Sequence, residues 1–304
     1  MQLNIKNETA RLKAVVLGQP HSMGKDPLLE ETYDAKSYET VSNGNYPTEE
    51  DIANEMDAFE KVLRKYHVEV LRPLILPNSN QVFARDVAFV IDDKIITSNI
   101  IPDRADEQEA YAPIYSRIAF NKIYNLPEKA HVEGGDVVLH DDIIFIGTYT
   151  REDYPNKKTA RTNSYAISFI KELFPDKTII PLELKKNDTN PREGILHLDC
   201  TFMPVGNGKA ILYPDGFLEP EGIQTVVDIF GKDNIFEITQ EEMYWMNTNI
   251  FSISPEVVVS EEHFTRLNKH LQDAWGLTVE TIPYREISKM GGLLRCSTLP
   301  LIRE

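Results

Sequence analysis

The stretch Glu133-Gly134-Gly135-Asp136-Val137-Val138-Leu139-His140-Asp141-Asp142-Ile143-Ile144-Phe145-Ile146 decides the fold. Two apolar runs flank an Asp-Asp pair, which predicts an antiparallel hairpin with strands Val137 to Leu139 and Ile143 to Ile146. A helix near Arg161 to Phe174 and a strand at Lys177 to Pro181 follow it. The same order stands upstream, as Val87 to Ile91, Asp92-Asp93, Lys94 to Thr97, a helix near Glu107 to Phe120 and Lys122 to Leu126. It returns downstream as Thr201 to Val205, Gly206-Asn207-Gly208, Ala210 to Tyr213, a helix near Glu221 to Phe230 and Asn234 to Ile238. A further copy is Ile250 to Ile253, Ser254-Pro255-Glu256, Val257 to Val259, a helix near Glu262 to Trp275 and Thr278 to Ile282.

Leu293 to Leu299 begins another such unit, whose missing parts stand near the start of the chain. There Leu12 to Leu17 reads as a strand, a polar loop runs from about Gln19 to Pro47, and Thr48 caps a helix that continues through Ile52, Met56, Phe59, Val62 and Leu63 to a strand at Val68 to Leu71. A repeat shared between two distant segments closes a ring. The expected architecture is therefore α/β: a five-bladed β/α-propeller of pseudo-fivefold hairpin-helix-strand repeats, forming a single domain over residues 1–304.

In such a ring, equivalent positions converge. At the head of each expected hairpin stand Asp86, Asp136, Asp199, Asn249 and Cys296. Gly291-Gly292 precedes the thiol and lets the backbone turn and approach closely, as an oriented nucleophile requires. His197 lies two residues before Asp199, so alternation along a strand would put both on one face and Cys200 on the other. An imidazole there can shuttle protons. Four carboxylates (Asp86, Glu133, Asp136 and Asp199) around one thiol and one imidazole repel anions, and a planar guanidinium matches their geometry best.

Composition agrees with a small cationic partner. The net charge of -16 argues against nucleic acid and anionic membranes. Two cysteines, Cys200 and Cys296, are too few for a disulfide framework, and neither a signal pattern nor a membrane-length apolar run is present, so a cytoplasmic location is expected. The sequence leaves the oligomeric state open, a homo-oligomer included.

The chain resembles the guanidino-group-modifying, or pentein, superfamily, which includes arginine deiminase, dimethylarginine dimethylaminohydrolase, agmatine deiminase and amidinotransferases. Asn80 to Asp86, Glu133 to Asp136, His197 to Asp199 and Gly291 to Cys296 carry the resemblance, in the family's order. It implies Cys296 as nucleophile, His197 as general acid and base, and Glu133 as the carboxylate orienting both histidine and guanidinium. It further implies Asp86 and Asp199 as guanidinium acceptors, Asn80 and Phe83 as contacts to the substrate tail and guanidinium plane, and Arg104 and Arg151 as carboxylate-binding arginines. Asp136 and Asn249 complete the expected substrate-binding set.

The implied reaction is hydrolysis of a guanidino C–N bond in arginine or a methylated arginine through a covalent cysteine adduct, with a citrulline-like product. Amidino transfer to an amine is the alternative; the Glu-Gly-Gly-Asp segment favours the hydrolases, since amidinotransferases usually read Asp-Ala-Ala-Asp there. No cofactor is expected. His131, Glu133, Asp136, His197 and Asp199 would also suit a metal ion, but the nearby thiol favours metal-free chemistry.

Overall fold

A computed structural model describes all 304 residues. Its strands are β1 (Leu12–Leu17), β2 (Glu69–Leu71), β3 (Ala88–Ile91), β4 (Lys94–Thr97), β5 (Ile123–Asn125), β6 (Val137–His140), β7 (Ile143–Thr148), β8 (Thr178–Glu183), β9 (Phe202–Val205), β10 (Lys209–Leu212), β11 (Ile235–Glu237), β12 (Phe251–Ser254), β13 (Val257–Glu261), β14 (Thr278–Ile282) and β15 (Thr298–Arg303). They form five three-stranded sheets of one pattern in a mixed α/β fold: an antiparallel pair, a hairpin in four of the five, of which one strand also pairs parallel with a third.

Hairpin geometry follows from the turn residues. Asp92, Asp141, Gly206 and Gly208 adopt φ of 52°, 53°, 58° and 66°, the left-handed region that two-residue turns need. The hairpin strands are almost wholly buried, whereas each third strand is partly exposed. Each sheet thus turns its hairpin inward.

One sheet joins the two ends of the sequence. β15 lies antiparallel to β1, Ala14 opposite Ile302 and Leu17 opposite Thr298, and β2 flanks β1 in parallel. Alternation along β1 sends Val15 and Leu17 into the larger of two apolar clusters, and Ala14 and Val16 into the smaller.

Between β1 and β2 the chain forms helices α1 (Ala35–Ser42) and α2 (Glu49–Lys65). In α2, Thr48 and Asp51 make a reciprocal capping box, and Ile52, Met56, Phe59, Val62 and Leu63 are the buried face, as their spacing predicts. The long polar loop is better ordered than its lack of periodicity suggested. Asp34 caps α1 by accepting from Ser37 N at 2.8 Å, and Thr40 Oγ1 donates to Lys289 O at 2.9 Å, which lays α1 over the segment leading to Cys296.

Three expected elements shift. Residues 294–297 form a turn, so the last strand starts at Thr298 and not at Leu293. The expected helix Glu107 to Phe120 is a 3-10 segment, Pro102–Tyr111, followed by one helical turn, Ala112–Tyr115; prolines 102 and 113 start each piece. The helix expected from Arg161 begins at Ser164, where the Asn163 side chain accepts from Ala166 N.

Candidate active site

The polar residues at the hairpin heads do not lie on strands. Asp86 sits in the helical turn Ala84–Val87, Asp136 in the 3-10 turn Gly134–Asp136, and Asp199 in the 3-10 turn Leu198–Cys200, each one to three residues before its strand. Strand alternation therefore does not set their directions. Close packing against the turns accounts for both Gly-Gly pairs. A Cβ on Gly135 would lie 2.5 Å from His197 Nδ1, and one on Gly134 would lie 2.2 Å from Arg85 O. A Cβ on Gly292 would meet the Phe83 ring at 2.3 Å, and one on Gly291, at φ +87°, would meet Asp34 Oδ1 at 2.4 Å.

Two buried groups result. In the first, Asn249 clasps Cys296: its amide nitrogen donates to Sγ at 3.2 Å and its oxygen accepts from Cys296 N at 3.1 Å. The thiol faces Asp199, 3.7 Å from Oδ2. That oxygen also accepts from Arg295 Nη1 at 2.8 Å, and Arg295 Nη2 donates to Glu8 Oε1 at 2.8 Å and Val137 O at 2.7 Å. Burial pushes the Cys296 thiol well above its ordinary range, and the charge of Asp199 adds to the effect.

In the second group, His197 Nε2 lies 2.9 Å from Glu133 Oε2, and Nδ1 lies 3.7 Å from Asp86 Oδ1. Burial works against the imidazolium, but Asp86 and the bond to Glu133 outweigh it and raise His197 to about 9. Burial likewise opposes ionisation of Glu133. Arg161 Nη1, which donates to its two oxygens at 3.0 and 2.8 Å, overcomes that and holds the carboxyl well below its usual range. Arg104 donates to Asp86 Oδ2 at 2.6 Å and to Glu107 at 2.6 and 3.0 Å. Asp86 Oδ1 is left buried with no hydrogen-bond partner, beside the imidazole.

The remaining expected residues divide. Asp136 spends one oxygen on Leu198 N at 3.0 Å and the other on Thr162 Oγ1 at 2.6 Å, so it fastens the His197–Asp199 turn. Phe83 is buried against Gly292, and Asn80 lies half-buried beside Met290, its amide 3.9 Å from Sδ. Cys200 is not turned away from Asp199, because the 3-10 turn brings its thiol 3.6 Å from Oδ1.

Arg151 is not brought to either group. It is exposed and paired with Glu219. The chain comes back at Arg161, which is buried and pairs with Glu133. Sequence reasoning missed Arg161, Arg295 and Glu8; the one signal for Arg295 was its place immediately before the thiol. Asp86, Glu133 and His197 also lie close enough to hold a metal ion, but two arginines already saturate most of their carboxylate oxygens.

The polypeptide between β1 and β2 covers this centre. Tyr33 O accepts from Arg161 Nη2 at 2.6 Å, and the Tyr33 ring stands 5.8 Å from the Arg161 guanidinium and 6.0 Å from that of Arg104. No helix in the molecule is long and apolar enough to cross a membrane.

Comparison with known proteins agrees with this arrangement. YkgA of Bacillus subtilis (strain 168) is 29% identical over 300 residues, 98% of this chain and 94% of its own length. The arginine deiminase of Streptococcus pneumoniae (strain CGSP14) is 24% identical over 268 residues, 75% of this chain and 62% of its own length, so the match spans less than two thirds of that protein. The amidinotransferase SxtG from Microseira wollei superposes with a TM-score of 0.74 at 19% identity, over 99% of this chain and 97% of that one. The N-terminal domain of the cyanobacterial arginine dihydrolase ArgZ, bound to product, superposes at 0.75 and 17% identity, over 95% and 97%. Those two structures are alike in fold. The model of the family described as N,N dimethylarginine dimethylhydrolase, eukaryotic, matches residues 30–303, and the chain belongs to that family within the pentein superfamily.

Proposed function

We propose that the protein hydrolyses a guanidino C–N bond of arginine or a methylated arginine through a covalent Cys296 adduct, and that its five sheets form one closed five-bladed propeller around that centre. The observation that carries the reading is the buried Asp86 Oδ1, which accepts no hydrogen bond and lies 3.7 Å from His197 Nδ1, beyond hydrogen-bond reach. An orphaned carboxylate oxygen at such a place calls for a cationic N–H donor. The family relationship and the arginine-directed names of relatives point the same way. The proposed setting is the cytoplasm, which suits two unpaired cysteines.

In this reading the substrate guanidinium lies between Asp86 and Asp199, with Phe83 against its plane. Its positive charge offsets the burial and the Asp199 charge that raise the Cys296 thiol, so the thiol releases its proton to solvent as substrate binds. Sγ then bonds to the guanidinium carbon. His197, already protonated, supplies the proton with which ammonia or an alkylamine departs, and an amidino-thioester remains. The now neutral imidazole takes a proton from water, the hydroxide bonds to carbon as the C–S bond breaks, and the departing thiolate takes the hydroxyl proton, so a ureido product leaves with the thiol restored; the ammonia or amine released earlier takes up the proton the thiol gave to solvent. Glu133 keeps the imidazole oriented, and Arg161 keeps Glu133 ionised.

Incubation with arginine, monomethylarginine, dimethylarginine and agmatine, with product masses recorded, tests the proposal. Citrulline from an amino-acid substrate is the expected product. Conversion only when an amine such as glycine is added, with an amidino-amine as product, would replace hydrolysis with amidino transfer. No conversion of any compound would end the reading.

A further inference from the structure

His197 owes its place to its backbone as much as to its ring. Its φ of -130° and ψ of 165° are set by the rigid peptide planes on either side of its Cα, and together these fix where the Cα–Cβ bond points. The plane after it is held twice: Asp136 Oδ1 accepts from Leu198 N at 3.0 Å, and His197 O accepts from Cys200 N at 3.0 Å. The plane before it is held through Leu196 O, which accepts from Lys186 Nζ at 2.7 Å. The same nitrogen donates to Ile195 O at 3.0 Å.

Lys186 is not needed to close its own loop, because Ile195 N already donates to Lys185 O at 2.8 Å. Reaching one residue further, to Leu196 O, ties the loop to the histidine. Nor does the contact depend on charge: an ammonium has three N–H donors and a neutral amine two, enough for both carbonyls. Burial pulls Lys186 below its ordinary range, while Asp136 is the strongest group favouring its ammonium, ahead of Cys200 and Glu133, and Arg161 opposes it. Lys186 and Asp136 thus grip successive peptide units around one residue.

The ring itself has little freedom. It packs on Gly135, where a Cβ would lie 2.5 Å from Nδ1, and its Nε2 stands 2.9 Å from Glu133 Oε2 while Nδ1 faces Asp86. A turn of the Leu196–His197 plane would swing the imidazole off that carboxylate, and misplacement by about 1 Å costs on the order of a hundredfold in rate.

We propose that Lys186 is a positioning residue of the catalytic centre, which acts through the Leu196–His197 peptide to hold the imidazole against Glu133. Its effect on rate rests on the function proposed above; its effect on the imidazole does not.

Lys186→Met, of similar length but without a donor, tests the assignment, and Lys186→Arg, which can donate to both carbonyls, is the rescue. The His197 imidazole, identified by its loss in His197→Gln, is titrated in the substrate-free protein by proton–nitrogen NMR. In the natural protein burial opposes the imidazolium, but Asp86, Glu133 and Asp136 raise it to about 9. In Lys186→Met the midpoint should fall by about one to two pH units, the equivalent of one lost charge-assisted hydrogen bond. In Lys186→Arg it should return to within about half a unit of the natural value. The sign separates positioning from charge, since removing a nearby cation by itself raises the pKa of an imidazole. A rise or no change in Lys186→Met therefore overturns the assignment, as does a fall that Lys186→Arg leaves unrestored. With a substrate that is turned over, kcat of Lys186→Met should drop about tenfold or more while KM stays within about threefold; a rise in KM alone would also overturn it. No turnover of any guanidino compound by the natural protein counts against the hydrolase reading only, and the NMR contrast still decides Lys186. Should Lys186→Met fail to fold, Lys186→Gln, too short to reach both carbonyls, is read in its place.

Discussion

Cys296 and Cys200 contact the same carboxylate, yet their surroundings give them different parts. Asn249 grips Cys296 through both backbone and sulfur, while the Cys200 thiol hydrogen-bonds Asp199 alone and is otherwise packed in the apolar core. Cys296→Ser is expected to abolish turnover with an unchanged circular dichroism spectrum, and Cys200→Ser to keep activity within a few-fold; full activity in Cys296→Ser would end the covalent mechanism. The raised thiol pKa adds a pH prediction. Alkylation of Cys296 by iodoacetamide should be slow at pH 7 and climb continuously on the alkaline side, because only the thiolate reacts. A small cationic amidine that leaves sulfur open should accelerate it at fixed pH. A fast, pH-independent rate would show a resting thiolate–imidazolium pair instead.

The turns that precede the strands aim the chemistry, and the glycines in them are the natural targets at the scale of elements. Gly135→Ala places a methyl 2.5 Å from His197 Nδ1 and should lower kcat far more than it raises KM. Gly291→Ala puts alanine at φ +87° and against Asp34, so it should lower thermal stability by at least about 1 kcal/mol as well as activity. Unchanged kinetics in both would show that the turns tolerate movement. These turns also mark how far the sequence could be read. Hairpins, outer strands and the buried face of α2 announce themselves by period and turn chemistry, and the family motifs name Cys296, His197, Glu133, Asp86 and Asp199. What a side chain faces within a 3-10 turn has no periodic signature, so the contact of Cys200 with Asp199 was illegible. Arg161 and Arg151 are ten residues apart on the same loop, and no periodic pattern in it tells which one turns inward to Glu133.

Across the whole molecule, Glu8 links the N-terminal segment to the nucleophile through Arg295. Both are buried; burial resists the charge on Glu8, but Arg295 and then Arg85 prevail and lower it from 4.5 to about 2. A carboxyl depressed on folding stabilises the native state fully above its unfolded value of 4.5 and loses that contribution as pH falls through 2. The shift corresponds to about 3 kcal/mol. Denaturation of Glu8→Gln beside the natural protein should therefore show a gap that is wide at pH 6 and narrows steeply toward pH 2; a gap independent of pH would assign the loss to packing. The first sheet has a temporal consequence too. Pairing Ala14 with Ile302 closes a loop of nearly the whole chain, which costs about 3 kcal/mol more than closing a ten-residue hairpin. That clasp should form after the other four sheets, and because Cys296 leads directly into β15, catalytic competence should arrive with it. In refolding from denaturant, fluorescence of Trp275, packed on Phe236 and His270 away from the clasp, should recover before activity does. Every half-folded copy would then be chemically silent, and turnover itself becomes the clock that marks the end of folding.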